Sequence, residues 1–250
     1  MVLRQEEQCI SRVESQAGSV KLRDAMPNWK DTPIHVLDFE GGARTGIVEY
    51  GVATLWGGEV VAARTRLCAA AAPIPALDTQ CHGIRARDVA HAAPFAADGE
   101  IFLSLRESGL LAAHHAQVEQ GMLKAVWPYP RAVPDFASPG APAVVDWGPW
   151  VDTHRLAVNW HPSLAEHKLG SLMRWFSLEK RLEKLADRHC PPGRKRYHCA
   201  LYDALAAALL LRHLCSTSER AGITLETLVR DSLTGSRAAE RMQGEFDLFS

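Results

Sequence analysis

The chain has 250 residues, 47% of them hydrophobic, and a formal net charge of −1 at pH 7. This composition is typical of a globular protein with a sizeable core. It excludes a strongly basic nucleic-acid-binding protein, so any contact with nucleic acid must be local. Six scattered cysteines without a Cys-x-x-Cys pair indicate reduced thiols and a cytoplasmic location. We expect no signal peptide and no membrane span, because the apolar runs are short.

The N-terminal third of the chain predicts an extension followed by an antiparallel meander. Residues 1–31 are polar and predict an N-terminal extension with a short helix over 5–15. Strands are predicted over 34–40, 46–56 and 59–67, because these stretches are rich in β-forming residues. Gly57-Gly58 is a two-residue hairpin signal, so the last two of these strands should pair directly.

The remainder alternates predicted strands and helices. Short buried strands are predicted over 110–115 and 143–151, on either side of a loop with five prolines over 128–142. Helices are predicted over 86–92, 97–106, 116–126, 168–175, 178–188, 200–214 and 224–232. Strands followed by a strand–helix alternation predict an α/β domain with a mixed sheet. We assign that domain to residues 32–216 and a C-terminal helix and tail to residues 217–250.

Two carboxylates one residue apart end the first predicted strand. Residues i and i+2 of a strand share a face, so Asp38 and Glu40 point the same way and Phe39 points the other way. Like charges side by side repel each other unless a cation lies between them. Hard divalent cations prefer carboxylate oxygens, so this pair predicts either a metal site or two solvated acids at a strand end.

Two further segments carry an acid at the start of a predicted helix. Glu119 follows His114-His115 and a buried strand, and Asp203 lies in an apolar helix five residues after His198. In order and context the three acidic segments resemble the exonuclease motifs of the DEDDh group of 3′–5′ exonucleases. This group includes the proofreading subunit of bacterial replicative DNA polymerase and ribonuclease T.

Intervening motifs extend the resemblance over about residues 32–215. Cys81-His82-Gly83-Ile84 is similar to the group's "hGI" turn, and Val151-Asp152-Thr153 to its "vDT" strand end. The stretch Lys168-Leu169-Gly170-Ser171-Leu172 is similar to its "kLgsL" helix. Each motif alone is weak, whereas all of them in the same order form a strong signal.

The resemblance implies a ribonuclease-H-like fold with two divalent ions, Mg²⁺ or Mn²⁺, at one end of the sheet. By position, the metal carboxylates would be Asp38, Glu40, Glu119 and Asp203, and His198 would be the general base. Phe39, Gly41, Gly42 and His115 would contact the substrate. The implied partner is single-stranded DNA or RNA with a free 3′ end, without membrane contact, and a homodimer is left open.

The spacing between His198 and Asp203 has a geometric consequence. Five residues of an ideal helix turn through about 500°, so the two side chains would lie about 140° apart. His198 is therefore expected on the connection before the helix, with Asp203 in its first turns. A sister group has tyrosine four residues before the last aspartate, and here that position is Cys199, which favours the histidine class.

The chain departs from the group's pattern at three places. Glu119 stands where aspartate is usual, and its extra methylene moves the carboxylate by roughly 1.5 Å, about one C–C bond. Gly41-Gly42 replace threonines that often follow the first motif, and glycine permits close approach of a nucleotide. His115 stands in place of the usual asparagine.

Several alternatives stay open at the level of sequence. Two alternatives to the exonuclease are a catalytically silent nucleic-acid-binding module and a phosphodiesterase that acts on short oligonucleotides. Glu119 alone fits an exposed acid at a helix start, and Asp152 fits a helix cap. The run Arg194-Lys195-Arg196 fits either a solvated loop or a phosphate contact, and Trp175 fits packing better than base stacking.

Overall fold

The computed structural model describes residues 27–233, which form one five-stranded sheet with helices on both faces. Strands β1 to β5 are Ile34–Gly42, Gly46–Trp56, Glu59–Leu67, Leu110–Ala113 and Trp150–Asp152. Their order in the sheet is β3-β2-β1-β4-β5. The first three strands pair antiparallel, and β4 and β5 add in parallel beside β1. The predicted α/β class with a mixed sheet is confirmed.

The helices connect these strands and cover the sheet. Helices α1 to α9 of the described chain are Ala76–His82, Ala86–Val89, Gly99–Ser108, Ala116–Val126, Thr153–Trp160, Leu169–Trp175, Glu179–His189, Ala200–Cys215 and Leu225–Asp231. A single 3-10 turn, Phe95–Asp98, precedes α3. No helix within residues 27–233 is long and apolar enough to cross a membrane.

Alternation along β1 separates two hydrophobic cores. Ile34 and Val36 face a core built around α8, whose residues are almost all buried, with contributions from α5, α6, α7 and α9. Leu37 and Phe39 face an aromatic core with Phe102 of α3 and residues of α4. Asp38 and Glu40 continue the first series, so their side chains belong to the face that α8 covers.

The meander agrees closely with its prediction because its local signals are strong. Gly57 and Gly58 both have positive φ, 62° and 82°, which is the conformation that a two-residue hairpin between β2 and β3 requires. Gly41 also has a positive φ of 134°, and a Cβ there would lie 2.1 Å from the Gly46 carbonyl oxygen. This glycine is therefore required by the β1–β2 connection itself.

Between the meander and α5, one predicted strand and one predicted helix are shorter than expected, and one helix was not predicted. The strand predicted over 143–151 is reduced to β5, because the Gly148 N–H bonds the Asp146 carboxylate and the Gly148 carbonyl accepts from buried Arg106. These bonds take the backbone groups that a strand would offer to its neighbour. Helix α1 was not predicted, since only seven residues with weak periodicity form it. Helix α2 ends at Val89 rather than at residue 92.

The two ends of the described chain lie against the fold. Trp29 is buried, and its backbone N–H donates to the Ile223 carbonyl at 3.1 Å. The Gly57 backbone N–H donates to the Lys30 carbonyl at 3.2 Å. At the other end Ser232 accepts a hydrogen bond of 2.9 Å from the Asp152 N–H. The predicted helix over 5–15 and the tail beyond 233 lie outside the described residues, and the proposed domain boundaries stay predictions.

Candidate active site

The first element of the site is the end of β1. Asp38 and Glu40 point from the same face of the strand into one cavity, while the Phe39 ring packs against Phe95 with centroids 5.5 Å apart. The sequence alternation therefore places the two acids as predicted from the residue spacing. Because β1 is flanked on both sides by other strands, its backbone holds these acids on a rigid support.

Helix α4 contributes Glu119 from its first turn. The side chain is only 5% exposed, and its carboxylate accepts a hydrogen bond from the Phe39 backbone. The second oxygen, Oε2, has no hydrogen-bond partner within the described part of the chain. Of the two interpretations open for this position, the exposed acid is therefore wrong, and the longer side chain reaches back to the end of β1.

The start of α4 is fixed by a carboxylate from another strand. Asp152, the last residue of β5, accepts from the N–H groups of His115 at 3.3 Å and Ala116 at 3.0 Å. The same carboxylate accepts from His154 at 2.9 Å and Arg155 at 3.1 Å, which open α5. Asp152 thus caps the following helix, as predicted, and also orients the helix that carries Glu119.

Helix α8 contributes Asp203, which is 8% exposed. Its Oδ2 accepts a hydrogen bond of 2.8 Å from the His198 backbone N–H, whereas Oδ1 has no partner among residues 27–233. The helix begins directly over β2, where a Cβ on Gly51 would lie 2.2 Å from the Ala200 carbonyl carbon. Gly51 pairs with Asp38 across the sheet, so its missing side chain lets Asp203 approach Asp38.

Burial and mutual repulsion raise the pKa of all four acids. Burial and the charges of Asp203, Glu119 and Glu40 raise the pKa of Asp38 well above its ordinary value. Burial, followed by the charge of Asp203, raises the pKa of Glu40 to about 8. Burial likewise raises the pKa of Glu119 to about 8, with a contribution from Glu40. For Asp203, burial raises the pKa to about 7 against the opposing hydrogen bond from the His198 backbone.

His198 lies on the connection before α8 at the exposed side of the cluster. Its backbone has a positive φ of 62°, and its side chain is exposed. One ligand atom each from Glu40, His198 and Asp203 lie within 4.8 Å of one another. The placement of His198 before the helix and Asp203 in its first turn agrees with the geometric expectation from their spacing.

A cavity of about 510 Å³ opens onto these groups. Its lining residues are Asp38, Phe39, Glu40, His114, His115, Lys168, Leu169, Gly170, Ser171, Arg174, Tyr197, His198 and Asp203. Phe39 and His115, two of the predicted substrate contacts, are among them, whereas Gly41 and Gly42 are not. The role of all four in substrate binding stays a prediction.

The two neighbouring histidines of this wall differ in environment. Burial, together with the charges of His115 and His154, lowers the pKa of His114 to about 3, and its ring bonds Thr153 Oγ1 at 2.9 Å. His114 is therefore a neutral structural group. His115 caps α4 in the left-handed conformation, and its exposed ring stacks on His154 with centroids 4.0 Å apart.

Sequence reasoning missed a fifth acid beside the site. Glu49 of β2 is buried and forms an ion pair with Arg194, and its Oε2 accepts from the Ala200 N–H at 3.0 Å. Arg194 also donates to the His82 carbonyl at 2.6 Å. This pair fixes both ends of the segment that carries His198. A carboxylate inside the otherwise apolar strand β2 was the signal that marked it.

The run Arg194-Lys195-Arg196 therefore has divided roles. Arg194 is internal, Lys195 pairs with Asp187 at 2.7 Å on the surface, and Arg196 is exposed. Arg196 donates to the Cys81 carbonyl at 3.2 Å, next to Gly83 with its positive φ of 76°. The turn around Gly83 is thus packed against the loop before α8.

The donor set fits hard divalent cations. Asp38, Glu40 and Asp203 line one cavity, whereas Glu119 is not among its lining residues and acts on Asp38 through its charge. Glu119 Oε2 and Asp203 Oδ1 are buried oxygens without partners in residues 27–233. Buried oxygens of this kind cost free energy unless a hydrogen bond or a cation satisfies them. Oxygen ligands from carboxylates are what Mg²⁺ and Mn²⁺ prefer, so Asp38, Glu40, Glu119 and Asp203 suit such ions.

Comparison with known proteins identifies the fold. No protein-family profile and no curated protein sequence matches the chain. Among solved structures it is similar to Exonuclease X in complex with 5′ overhanging duplex DNA, at 22% identity and a TM-score of 0.54. That match covers 78% of this chain and 99% of the other.

Two further solved structures have a similar fold. The nuclease domain of 3′hExo, a DEDDh family member bound to rAMP, matches at 17% identity with a TM-score of 0.51, over 75% of this chain and 94% of that domain. A 3′-exonuclease that recognises the histone mRNA stem-loop matches at 13% identity with a TM-score of 0.53. That match covers 84% of this chain and 72% of the other. The chain therefore has the ribonuclease-H-like fold of the DEDDh exonucleases, which confirms the predicted fold class.

Proposed function

We propose that the protein is a metal-dependent 3′–5′ exonuclease that shortens single-stranded nucleic acid from its 3′ end. The observation that carries this proposal is the approach of four carboxylates from three elements, two buried (Glu119 and Asp203) and two half-buried (Asp38 and Glu40), beside an exposed histidine. The similarity to solved exonucleases with DNA and with rAMP supports nucleic acid as the substrate.

The position of each residue in the site indicates its role in the proposed reaction. Asp38, Glu40, Glu119 and Asp203 would hold two divalent ions, Mg²⁺ or Mn²⁺. The chemistry that bound ions supply is a water molecule of lowered pKa and neutralised charge on the departing 3′ oxygen. His198, exposed beside Glu40 and Asp203, takes the proton from the attacking water as general base. Attack on the last phosphorus breaks its bond to the 3′ oxygen and releases a nucleoside 5′-monophosphate.

The walls of the cavity would position the terminal nucleotide. The exposed His115 ring, supported by His154, offers a flat surface for a base, and Phe39 borders the same space. An imidazole in place of the usual amide keeps hydrogen-bonding capacity and adds an aromatic face. We propose that Gly41 and Gly42 contribute only through their backbone.

A substrate panel tests the proposed function. Single-stranded DNA, duplex DNA with an overhang, RNA and a dinucleotide, each labelled at the 5′ end, are incubated with Mg²⁺, Mn²⁺ or excess chelator. We expect stepwise shortening of single strands with either ion and none with chelator. Full activity in chelator, or cleavage within the strand, would contradict the proposal. Strand binding without shortening in Mn²⁺ would favour a silent binding module, and cleavage of the dinucleotide alone would favour an oligonucleotide phosphodiesterase.

A further inference from the structure

Helix α6 borders the cavity and carries a large exposed aromatic side chain. Trp175, its last residue, is 68% exposed, so it is not part of the core. Leu172 and Met173 of the same helix are fully buried and hold it against the body of the protein. An exposed tryptophan on a well-anchored helix is a rigid flat surface available to a ligand.

The tryptophan continues a line of residues that begins inside the cavity. Lys168, Ser171 and Arg174 all line the cavity together with the acidic cluster. Trp175 follows Ser171 by four residues, which on a helix is about 40° of rotation and about 6 Å of rise. We call the surface formed by Lys168, Ser171, Arg174 and Trp175 the outer face of α6. It runs from the cavity to the indole ring.

The same face carries cations that match a polyanion. The Lys168 side chain is 83% exposed and pairs with Glu166 at 2.7 Å. Arg174 Nη2 donates to Ser171 Oγ at 3.0 Å, and Ser171 Oγ donates to the same Glu166 at 2.6 Å. Two cations face one acid, so the face keeps a net positive charge. Exposed ion pairs of this kind contribute little to stability, so phosphate groups can replace them.

We infer that the outer face of α6 is a binding track for the single strand upstream of the scissile bond. This inference rests on the proposed function and deepens it. Lys168 and Arg174 contact backbone phosphates, and Trp175 stacks on a base that has not yet reached the cavity. Alternating phosphate contacts and aromatic stacking are how proteins hold single strands without reading sequence. The track predicts a preference for strands over mononucleotide esters.

Equilibrium binding tests the track independently of catalysis. The probe is a fluorescent 12-nucleotide oligothymidylate, measured by anisotropy with Asp203→Asn protein, which we expect to be inactive. Adding Trp175→Ala should raise Kd roughly tenfold, because stacking on one base is lost. Trp175→Phe should restore most of the affinity. Trp56→Ala is the matched control, since Trp56 is 53% exposed at the far end of β2 and should have no effect.

Salt dependence separates the phosphate contacts from stacking. In the same background, Arg174→Ala should lower the slope of log Kd against log salt concentration by about 0.7, the value for one phosphate contact with a single strand. Trp175→Ala should leave that slope unchanged. An unchanged Kd after Trp175→Ala, or an effect that Trp175→Phe does not rescue, would overturn the stacking contact.

Turnover distinguishes failure of the track from failure of the proposed function. With otherwise wild-type protein, Trp175→Ala should raise KM for the 12-nucleotide strand roughly tenfold and leave kcat unchanged. Hydrolysis of the p-nitrophenyl ester of thymidine 5′-phosphate, which is too short to reach Trp175 outside the cavity, should not change. Equal losses on both substrates would contradict the track. If neither substrate is cleaved by wild-type protein while Trp175→Ala still weakens binding, the proposed function fails and the track stands.

Discussion

The buried acids of the site are held in place at a cost in electrostatic free energy. Asp38 and Asp203 lie close enough for each charge to disfavour ionisation of the other, and burial adds to the effect. In the absence of a cation these groups therefore oppose folding once they ionise. A neutral side chain of the same shape removes this repulsion and also removes one of the proposed metal ligands.

We predict that Asp203→Asn abolishes nuclease activity and raises the stability of the metal-free protein at pH 8. Asparagine retains an oxygen that accepts from the His198 N–H and lacks the charge that repels Asp38. The measurements are oligonucleotide shortening and thermal unfolding followed by far-UV circular dichroism in excess chelator. Asp187→Asn, on an exposed acid paired with Lys195, is the control and should change neither quantity strongly. Undiminished cleavage by Asp203→Asn would refute the site.

His198 should affect the rate and not the binding of substrate. Removing a general base costs about 10²- to 10⁴-fold in rate. The His198 side chain is exposed, so its loss should not affect the fold. We therefore predict that His198→Ala lowers kcat by about that factor and leaves the Kd for a single strand within about twofold. Single-turnover kinetics and anisotropy measure the two quantities. Equal losses in both would argue against the base role.

At the scale of elements, the site depends on how closely α8 approaches β2. The Ala200 carbonyl carbon lies 2.2 Å from where a Gly51 Cβ would be, so no side chain is tolerated without movement of the helix. We predict that Gly51→Ala destabilises the protein by roughly 1–3 kcal/mol, the usual cost of overpacking, and reduces activity by displacing Asp203. Urea unfolding and the nuclease assay provide the measurements.

The control for this prediction is a glycine with open space around it. Gly121 lies in α4, and a Cβ there would meet nothing within 4 Å. Gly121→Ala should stabilise the protein by about 0.5–1 kcal/mol through helix propensity and leave activity unchanged. If Gly51→Ala proved as harmless as Gly121→Ala, the close approach of α8 would not be what positions Asp203.

The elements that were predicted correctly have strong local signals, and those missed depend on distant contacts. Gly57-Gly58 defines the β2–β3 hairpin on its own, and the apolar run of α8 defines a buried helix. The strand predicted over 143–151 failed because buried Arg106, some forty residues earlier, takes the Gly148 carbonyl. No pattern within 143–151 contains that information.

In the site, too, residues with a strong local signal were predicted and contacts between distant residues were not. Asp38 and Glu40 were identified from their spacing on one strand face and Asp203 from its position in an apolar helix, and in the structure the charges of Glu40, Glu119 and Asp203 all act on Asp38. Glu119 by itself fitted a solvated acid in a first helical turn, and only the resemblance implied a ligand there. The Glu49–Arg194 ion pair joins residues 145 positions apart, which a single sequence does not reveal.

At the scale of the whole molecule, the raised pKa values predict how stability depends on pH. The pKa of Glu40 and Glu119 is raised to about 8 and that of Asp203 to about 7, so the folded state binds more protons than the unfolded state between about pH 4 and 8. The free energy of unfolding is therefore greater at low pH, where these acids are protonated. This contribution is lost as the pH rises through the pKa values of the folded state.

Buried histidines act in the opposite direction, but only at lower pH. Burial lowers the pKa of His35 to about 4 and that of His114 to about 3, so their contribution increases with pH until the unfolded value near 6.5 is passed. We predict that between pH 6.5 and 8 the Tm of the metal-free protein falls. Mg²⁺ or Mn²⁺ should raise Tm by an amount that grows with pH, because the ions bind ionised carboxylates.

Calorimetric or fluorescence melts in chelator, in Mg²⁺ and in sodium chloride of equal ionic strength measure this dependence. The salt control separates specific binding from screening of surface charge. A metal-induced rise in Tm that is the same at pH 6.5 and 8, or that sodium chloride reproduces, would contradict binding at the acidic cluster.

The hairpin turn at Gly57 is the part of the described chain best suited to tethering the protein. The two chain ends lie near each other, because the Leu225 N–H donates to the Pro27 carbonyl at 3.1 Å and α9 is only seven residues long. Ser232 bonds Asp152, whose carboxylate caps the helices beside the cavity. Gly57, by contrast, is six residues of extended strand, or about 20 Å, from Gly51 and the cavity. A solid support attached at this turn therefore leaves the entrance clear for long polymers, whereas one joined after residue 233 starts beside it.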